Sequence, residues 1–551
     1  MNRRFVSGCS FSVMALVLLV GTTITSMEVS TVRSASLQGG AGPLDFLKAQ
    51  DASFALVVNS SGVLTAEGPK LFPDRFPDGL WLLAGLPDNP QLSGPFSLPF
   101  PVASIVLSPD GDTALAASVP VPFFEPSSLA VLGNIKAFVE SRDPDDLQIT
   151  VFTSEDMPQL ANVTSLAYGP DGRWAVMGSN GPGPFDPSAR NARLYVVTGL
   201  PDTLAFSDPI PLHIAQVERF VLTLDGDTLL VTQSIPDVDG RPESRVLLIR
   251  GIAPGGADPQ IVDVLGLPFP DEFVPWGPPT LDDAKLTLDG RFILAPNPLA
   301  TAFDPATGFQ GLNTITIIGG VEEGQLEVAR VLTEADGAGQ GPLMAAVSPD
   351  GDTALVIDTF PPGGGTLLTG LASGDPAQVE GQPIPPFGPA FPLGPDGPPV
   401  MAFHNDVYFT PDGNTAIVTA GVAPGLPPQF ASSVSVLTGF GGGNIQVVAN
   451  LTDPELNIFL PFNQHMATVP SGLVDYINIS LAQQDLARST LVTQVESAIR
   501  AADRGDTDDA VQNLNLFIAT VANFNRQGIL ADSQATTLTT LASVGIKMMQ
   551  Q

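Results

Sequence analysis

The sequence predicts an all-β ring, a seven-bladed β-propeller with four-stranded blades, followed by a small all-α C-terminal domain. Three observations predict it: a turn motif that recurs seven times, apolar runs too continuous for a half-solvated sheet, and a change of composition near residue 471. A chain of 551 residues has room for one repeat architecture with an appendage. Gly and Pro make 109 of those residues, which is high but below the roughly 25–30% of disordered low-complexity chains. The 44% apolar content argues for a buried core.

The repeat is clearest when aligned on an Asp. The copies are KAQDASFALVVN at Asp51, LSPDGDTALAAS at Asp110, YGPDGRWAVMGS at Asp171 and LTLDGDTLLVTQ at Asp225. LTLDGRFILAPN follows at Asp289, VSPDGDTALVID at Asp350 and FTPDGNTAIVTA at Asp412. Successive spacings are 59, 61, 54, 64, 61 and 62 residues. The first copy lacks the glycine; the other six carry Gly111, Gly172, Gly226, Gly290, Gly351 and Gly413 after the Asp. Asp-Gly between apolar runs is a hairpin signal: the Asp side chain bonds nearby backbone and glycine accepts a positive φ. Acids beside glycine also suggest a metal, but Arg173, Arg291 and Asn414 replace the second acid in three copies. A motif repeated at every corner reads as scaffold.

Each unit holds more than that hairpin. A second apolar run follows, as in LWLLAGL (80–86), LYVVTGL (194–200), VLLIRGI (246–252), TITIIGG (314–320) and VSVLTGF (434–440). A more variable run closes the unit, as in LEVARVLT (326–333) and IQVVANL (445–451). Four short strands per unit, seven times over, is the pattern of a propeller. TALVID and TAIVTA are nearly continuously apolar, as expected of a strand covered on both faces by neighbouring blades.

These copies resemble the YVTN family of seven-bladed repeats, related to lactonase-like propellers. The matching stretches are AAVSPDG with TALVID, and the later SVSVLTG. The repeats predict a closed ring over about residues 44–460, and the resemblance covers all seven units. It departs from the family where YVAN becomes ALVID, AVMGS or ILAPN.

The N-terminus reads as an export signal over residues 1–36. MNRR supplies positive charge, FSVMALVLLVG (11–21) is short for a membrane span, and Ser34-Ala35-Ser36 offers a small-residue cleavage site. A site near Thr25 or Ser26, or an uncleaved anchor, are the alternatives. Cys9, the only cysteine, precedes the apolar stretch, whereas a lipidated cysteine would follow it. The mature chain would therefore have no disulfide, thiolate metal site or cysteine nucleophile. The expectation is a secreted, periplasmic or cell-surface protein, not integral to the membrane after cleavage. A net charge of −34 argues against nucleic acid and against phosphorylated or polyanionic substrates.

Residues 461–488 read as a linker and 489–551 as a helical module. Leu491, Val495, Ile499 and Ala502 have helical spacing, with Gly505 at the C-cap position. Asp506 or Thr507 caps a second helix carrying Val511, Leu514, Ile518, Val521 and Phe524, which Gly528 ends. A third helix starts at Asp532 with Leu538, Leu541 and Val544. RGDTDDAVQNLNLFIATVANFNRQGIL resembles FIMAH modules of secreted bacterial proteins, through Gly505–Thr507 and Phe517-Ile518. That resemblance implies an accessory or interaction role and no chemistry.

All the Asp-Gly turns must lie on one face of the ring, and the long loops on the other. Phe and Pro recur in those loops, at 70–79, 119–128, 180–192, 268–279, 303–309 and 385–399. Phe123, Phe124, Phe185, Trp276, Phe303, Phe387 and Phe430 are thus candidate contacts of a binding face; the plainer reading is that they pack against each other and order the loops. Catalytic groups are few. Among His213, His404 and His465, His404 with Asp406 offers a weak general-base candidate, and a structural histidine is the plainer reading. DVDGRPE supplies Asp237, Asp239 and Glu243 as a weak calcium candidate, without the remaining ligands of a calcium loop. No cofactor is expected, and no P-loop, G-x-S-x-G or H-E-x-x-H motif occurs. The sequence points to a scaffold that binds a protein or extracellular polymer, with a lactonase-like hydrolase or isomerase of a small non-phosphorylated substrate as the alternative.

Overall fold

The computed structural model describes residues 44–550, apart from 49, 51–52, 61, 66–67, 72–76, 119–126, 182–190, 202, 215–216, 234–243, 257, 268–282, 298–299, 305–307, 312, 340, 359–363, 388–389, 393–398, 402, 422–431 and 459–465. The export segment, Phe123, Phe124, Phe185, Trp276, Phe430, His465, Asp237, Asp239 and Glu243 lie outside the described residues.

Seven antiparallel sheets form the ring. From the channel outwards, blade 2 runs Val102–Leu107, Thr113–Ser118, Ser128–Gly133 and Gln148–Thr153. Blades 3 to 7 repeat that order, with inner strands Val163–Tyr168, Phe220–Leu222, Lys285–Leu286, Pro342–Val347 and Phe403–Phe409. Blade 1 is assembled from both ends of the chain. Its inner strand is Met466–Thr468, paired antiparallel with Phe54–Asn59, and Gly79–Ala84 and Gln91–Ser97 complete it. The ring therefore closes through a strand lying within the stretch 461–488.

Middle strands such as Phe54–Asn59, Gly79–Ala84 and Trp174–Ser179 are buried at every position. Alternate side chains enter opposite interfaces: Ala55 and Val57 pack against blade 7, Phe54, Leu56 and Val58 against blade 2. Seven such apolar clusters, one per blade boundary, make up the core of the ring. Outer strands are wetter, as Gln260–Leu267 shows with its alternating exposure. The long apolar runs are thus explained by burial on both sheet faces.

The six Asp-Gly corners share one geometry. Their glycines have φ between +64° and +79°, a region that costs other residues strain. Each Asp Oδ1 accepts the backbone N–H two residues on, at 2.9–3.2 Å.

Five α-helices occur among the described residues. Helix α1 (Ile135–Ser141) follows the third strand of blade 2. The others form a C-terminal bundle: α2 (Leu473–Ser480), α3 (Asp485–Asp503), α4 (Thr507–Arg526) and α5 (Asp532–Gln550). Asp506 caps α4, accepting the Asp509 N–H at 3.2 Å. The bundle core also takes in Leu44, Phe46 and Leu47, from the segment ahead of blade 1. A Cβ added at Gly545 of α5 would lie 3.1 Å from both Leu47 and Leu514, so helix and segment pack closely there.

The bundle sits on the face of the Asp-Gly turns. Leu224 and Leu288, beside two of the turns, pack against its core. Val469 and Ile479 lie over Gly111 and Gly413, and the Ser533 hydroxyl donates to the Ala372 carbonyl at 3.1 Å. Pro349, Asp350 and Gly351 share a narrow gap with Tyr476, Ser480 and Ser533.

Candidate functional site in the channel

Inner strands bring equivalent positions of successive blades to one level of the ring. Six residues ahead of each turn Asp stand Ser104, Ser165, Arg219, Asp283, Met344 and Asp406, in blades 2 to 7. In blades 2, 3, 6 and 7 a register shift falls just before this position. Such a bulge re-aims the residue that follows it. Four residues ahead of the Asp, one step nearer the turn face, stand Val106, Ala167, Val221, Lys285, Ala346 and Tyr408; all but Ala346 keep partial exposure.

At the first level a charged network crosses the ring. The Arg219 guanidinium, 1% exposed, donates from Nη1 to Asp283 Oδ1 at 3.0 Å and from Nη2 to Asp406 Oδ1 at 3.1 Å. Nη1 also lies 3.6 Å from the Met344 sulfur. One side chain of blade 4 thus ties together blades 5, 6 and 7. Asp283 Oδ2 accepts the Ala345 N–H at 2.9 Å, and Lys285 Nζ lies 3.4 Å from Asp283 Oδ1. The Lys285 ammonium stands 5.7 Å from the centre of the Tyr408 ring. Two cations and two carboxylates balance, which is how buried charge is tolerated.

Burial sets the acid–base properties here. It pushes the Asp406 carboxyl up, against the pull of Arg219 and Lys285, and it raises the Tyr408 phenol, with Asp406 adding to the effect. Lys285 is lowered, first by burial and then by the neighbouring guanidinium of Arg219. Arg219 stays charged, because the two carboxylates outweigh its desolvation.

His404 lies apart from that network. It is 1% exposed, stacks on Phe387 at 4.5 Å and 15°, and places Nδ1 3.0 Å from the Asp358 carbonyl. A carbonyl only accepts, so Nδ1 carries the proton. Burial pushes its pKa down to about 4, leaving a neutral ring at ordinary pH. Phe387, 3% exposed, spends its ring on His404 and on the core between blades 6 and 7. Phe303 lies in the hairpin strand Ala300–Asp304, opposite Phe309.

Among the described residues singled out from sequence, only Asp406 joins the network; Arg219, Asp283, Lys285 and Tyr408 were missed. The signal was present in the aligned copies. At one position Ser, Ser and Met give way to Arg, Asp and Asp, a departure that a scaffold role does not require. Among the described residues, no group of three His, Cys, Asp or Glu is placed to hold a metal ion. Nor is any helix among them long and apolar enough to cross a membrane.

The ring and its bundle define the class: a seven-bladed β-propeller with four-stranded blades and a C-terminal helical region. No family model matches the sequence, and no curated protein matches it. Among solved structures, a functionally unknown protein from Desulfotomaculum acetoxidans is 12% identical, with a TM-score of 0.45, covering 75% of this chain and 99% of that one. Hydrazine synthase from Kuenenia stuttgartiensis is 14% identical at a TM-score of 0.42, covering 72% and 97%. A putative 6-phosphogluconolactonase from Bacteroides fragilis is 14% identical at 0.39, covering 62% and 83%. These likenesses concern the fold alone.

Proposed function

We propose that the protein is an exported, non-enzymatic scaffold that presents its loop face to a protein or extracellular polymer. The observation that carries this reading is the helical bundle on the turn face. One face of the ring is already taken, and the opposite face, from which the repeat pattern expects the Phe/Pro-rich loops to emerge, is the one left for a partner. A rigid scaffold presenting loops is a common basis of recognition. The YVTN-like repeat and FIMAH-like helices fit an extracellular binding role, and the net charge of −34 favours a partner that is not a polyanion. The test replaces Phe123, Phe124, Phe185, Trp276, Phe303 and Phe430 together by serine. Loss of co-purification with an envelope component, at unchanged thermal stability, is expected; retained capture would sink the assignment of the face.

A second reading, a lactonase-like hydrolase or isomerase in the channel, is favoured by one observation: Arg219, Asp283, Lys285 and Asp406 converge there. Its substrate would be small and non-phosphorylated. Turnover of a simple lactone such as δ-valerolactone, abolished by Asp406→Asn, would support it, and no turnover by the native protein would remove it.

A further inference from the structure

We propose that Lys285 is a nucleophilic amine of the channel, able to condense with a small aldehyde or ketone. Four features of its surroundings carry this. Arg219 and Lys285 share Asp283 Oδ1, but Arg219 holds it at 3.0 Å and Lys285 stands at 3.4 Å, so the amine is the more loosely bound cation. A lysine placed beside a permanent cation in a dry site is biased toward its neutral form, and the neutral form has the lone pair a nucleophile needs. The side chain of Lys285 is 18% accessible, against 0–1% for Arg219, Asp283 and Asp406, so within the network it is the basic group that a small molecule can reach. At the same level blades 2, 3 and 4 present Val106, Ala167 and Val221, half-buried side chains that bring no charge to compete with the amine.

The chemistry balances with groups already present. The Lys285 nitrogen attacks the carbonyl carbon, a C–N bond forms, and the π pair of the carbonyl moves to oxygen. Two protons then pass from nitrogen to oxygen: the first gives the neutral carbinolamine, and the second accompanies cleavage of the C–O bond, so that water leaves as the imine forms. We assign both transfers to Asp406, a carboxyl of the same network whose charge acts on Lys285. It bonds Arg219 and the Val407 N–H through Oδ1 and keeps Oδ2 outside both contacts, and burial favours its protonated state. Amine plus carbonyl gives imine plus water, with no oxidant or metal required.

This inference rests on the channel reading and not on the loop face, so a failed trap removes the amine chemistry alone, and lost partner capture removes the loop face alone. The test uses the full chain, glycolaldehyde and sodium cyanoborohydride at pH 7, followed by peptide mapping by mass spectrometry. The chain has five lysines, Lys48, Lys70, Lys136, Lys285 and Lys547, so the map is unambiguous. Lys285 is expected to be alkylated several-fold faster than the exposed Lys136 and Lys547, because more of its amine is in the neutral, nucleophilic form at pH 7. Its labelling rate should also level off below the pH at which an ordinary lysine side chain does. Labelling of Lys285 no faster than of Lys136, or pH profiles that coincide, would overturn the proposal.

Discussion

Blades 2 and 3 and blades 4, 5 and 7 share one backbone plan and differ at one position in the channel. The first pair present Ser104 and Ser165 there, and the other three present Arg219, Asp283 and Asp406. The corners, by contrast, are alike in all six hairpins: an Asp bonded to backbone and a glycine of positive φ. Features present in every blade answer to the ring's geometry, whereas a feature confined to some blades needs another cause. The charged half of the channel is therefore the place to look for chemistry, and the corners are the place to look for stability.

The largest expected effect lies in the charged half. Asp283→Ala leaves Arg219 and Lys285 with Asp406 alone and leaves the Ala345 N–H unpaired. Breaking a buried ion pair from one side costs about 3–5 kcal/mol, mostly as the penalty of the charge left behind. Ser165→Ala, at the equivalent position of blade 3, should fall within about 1 kcal/mol of the native protein, as single buried hydroxyls usually do. Urea unfolding followed by tryptophan fluorescence measures both. Equal losses would mean that the two halves of the channel do the same structural work.

The contrast between ring and bundle can be tested at Leu47. This residue lies ahead of blade 1 but is fully buried in the helical core. Leu47→Ala should cost about 2–5 kcal/mol, the range for buried leucines, and should loosen α5 in hydrogen exchange before it affects the blades. This arrangement was not legible in the sequence. The ring was, because repetition averages out local ambiguity: six clear copies of one turn fix strand order and burial together. Helices α3 to α5 were also legible, through their 3.6-residue period and the Asp506 cap, whereas α2 falls in the stretch read as a linker. Docking of residues 44–47 into a bundle some 450 residues later has no local signal, since three apolar residues suit a strand or a core equally. The missing glycine at Asp51 did have a cause. The inner strand of blade 1 comes from Met466–Thr468, so Phe54–Asn59 needs no hairpin to a preceding inner strand.

A smaller effect separates ring and bundle by pH. His404 titrates near pH 4 when folded, against an ordinary value of 6.5, so the unfolded chain binds the proton first. Its contribution is fully present above about pH 6.5 and is lost as pH falls toward 4, amounting to about 3 kcal/mol at most. Asp475, which accepts the Gln50 and Gly472 N–H groups at the start of α2, has the opposite sign. Burial raises it to about 6 from 3.8, so the folded chain binds that proton first and gains stability as pH falls through this window. Unfolding midpoints at pH 7 and pH 5 should therefore diverge between variants. His404→Gln should flatten or reverse the acid loss of the native protein, and Asp475→Asn should steepen it. Identical pH slopes in all three would show that neither group is held as described.

The smallest effects are at the corners, and they distinguish conformation from crowding. Gly290 has φ +79° and no atom within 4 Å of where a Cβ would stand. Gly290→Ala should thus cost only the backbone term, about 1–2 kcal/mol for a left-handed alanine. Gly226 has nearly the same φ, +73°, but a Cβ there would lie 2.8 Å from Pro170 Cδ in the turn of the preceding blade. Gly226→Ala adds that overlap, so it should be the more destabilising of the two by thermal denaturation. If the two losses were equal, the turn of blade 4 would not be pressed against that of blade 3, and the corners would act singly. A larger loss at Gly226 would mean that the turn face is a packed rim, in which each corner helps to position the next.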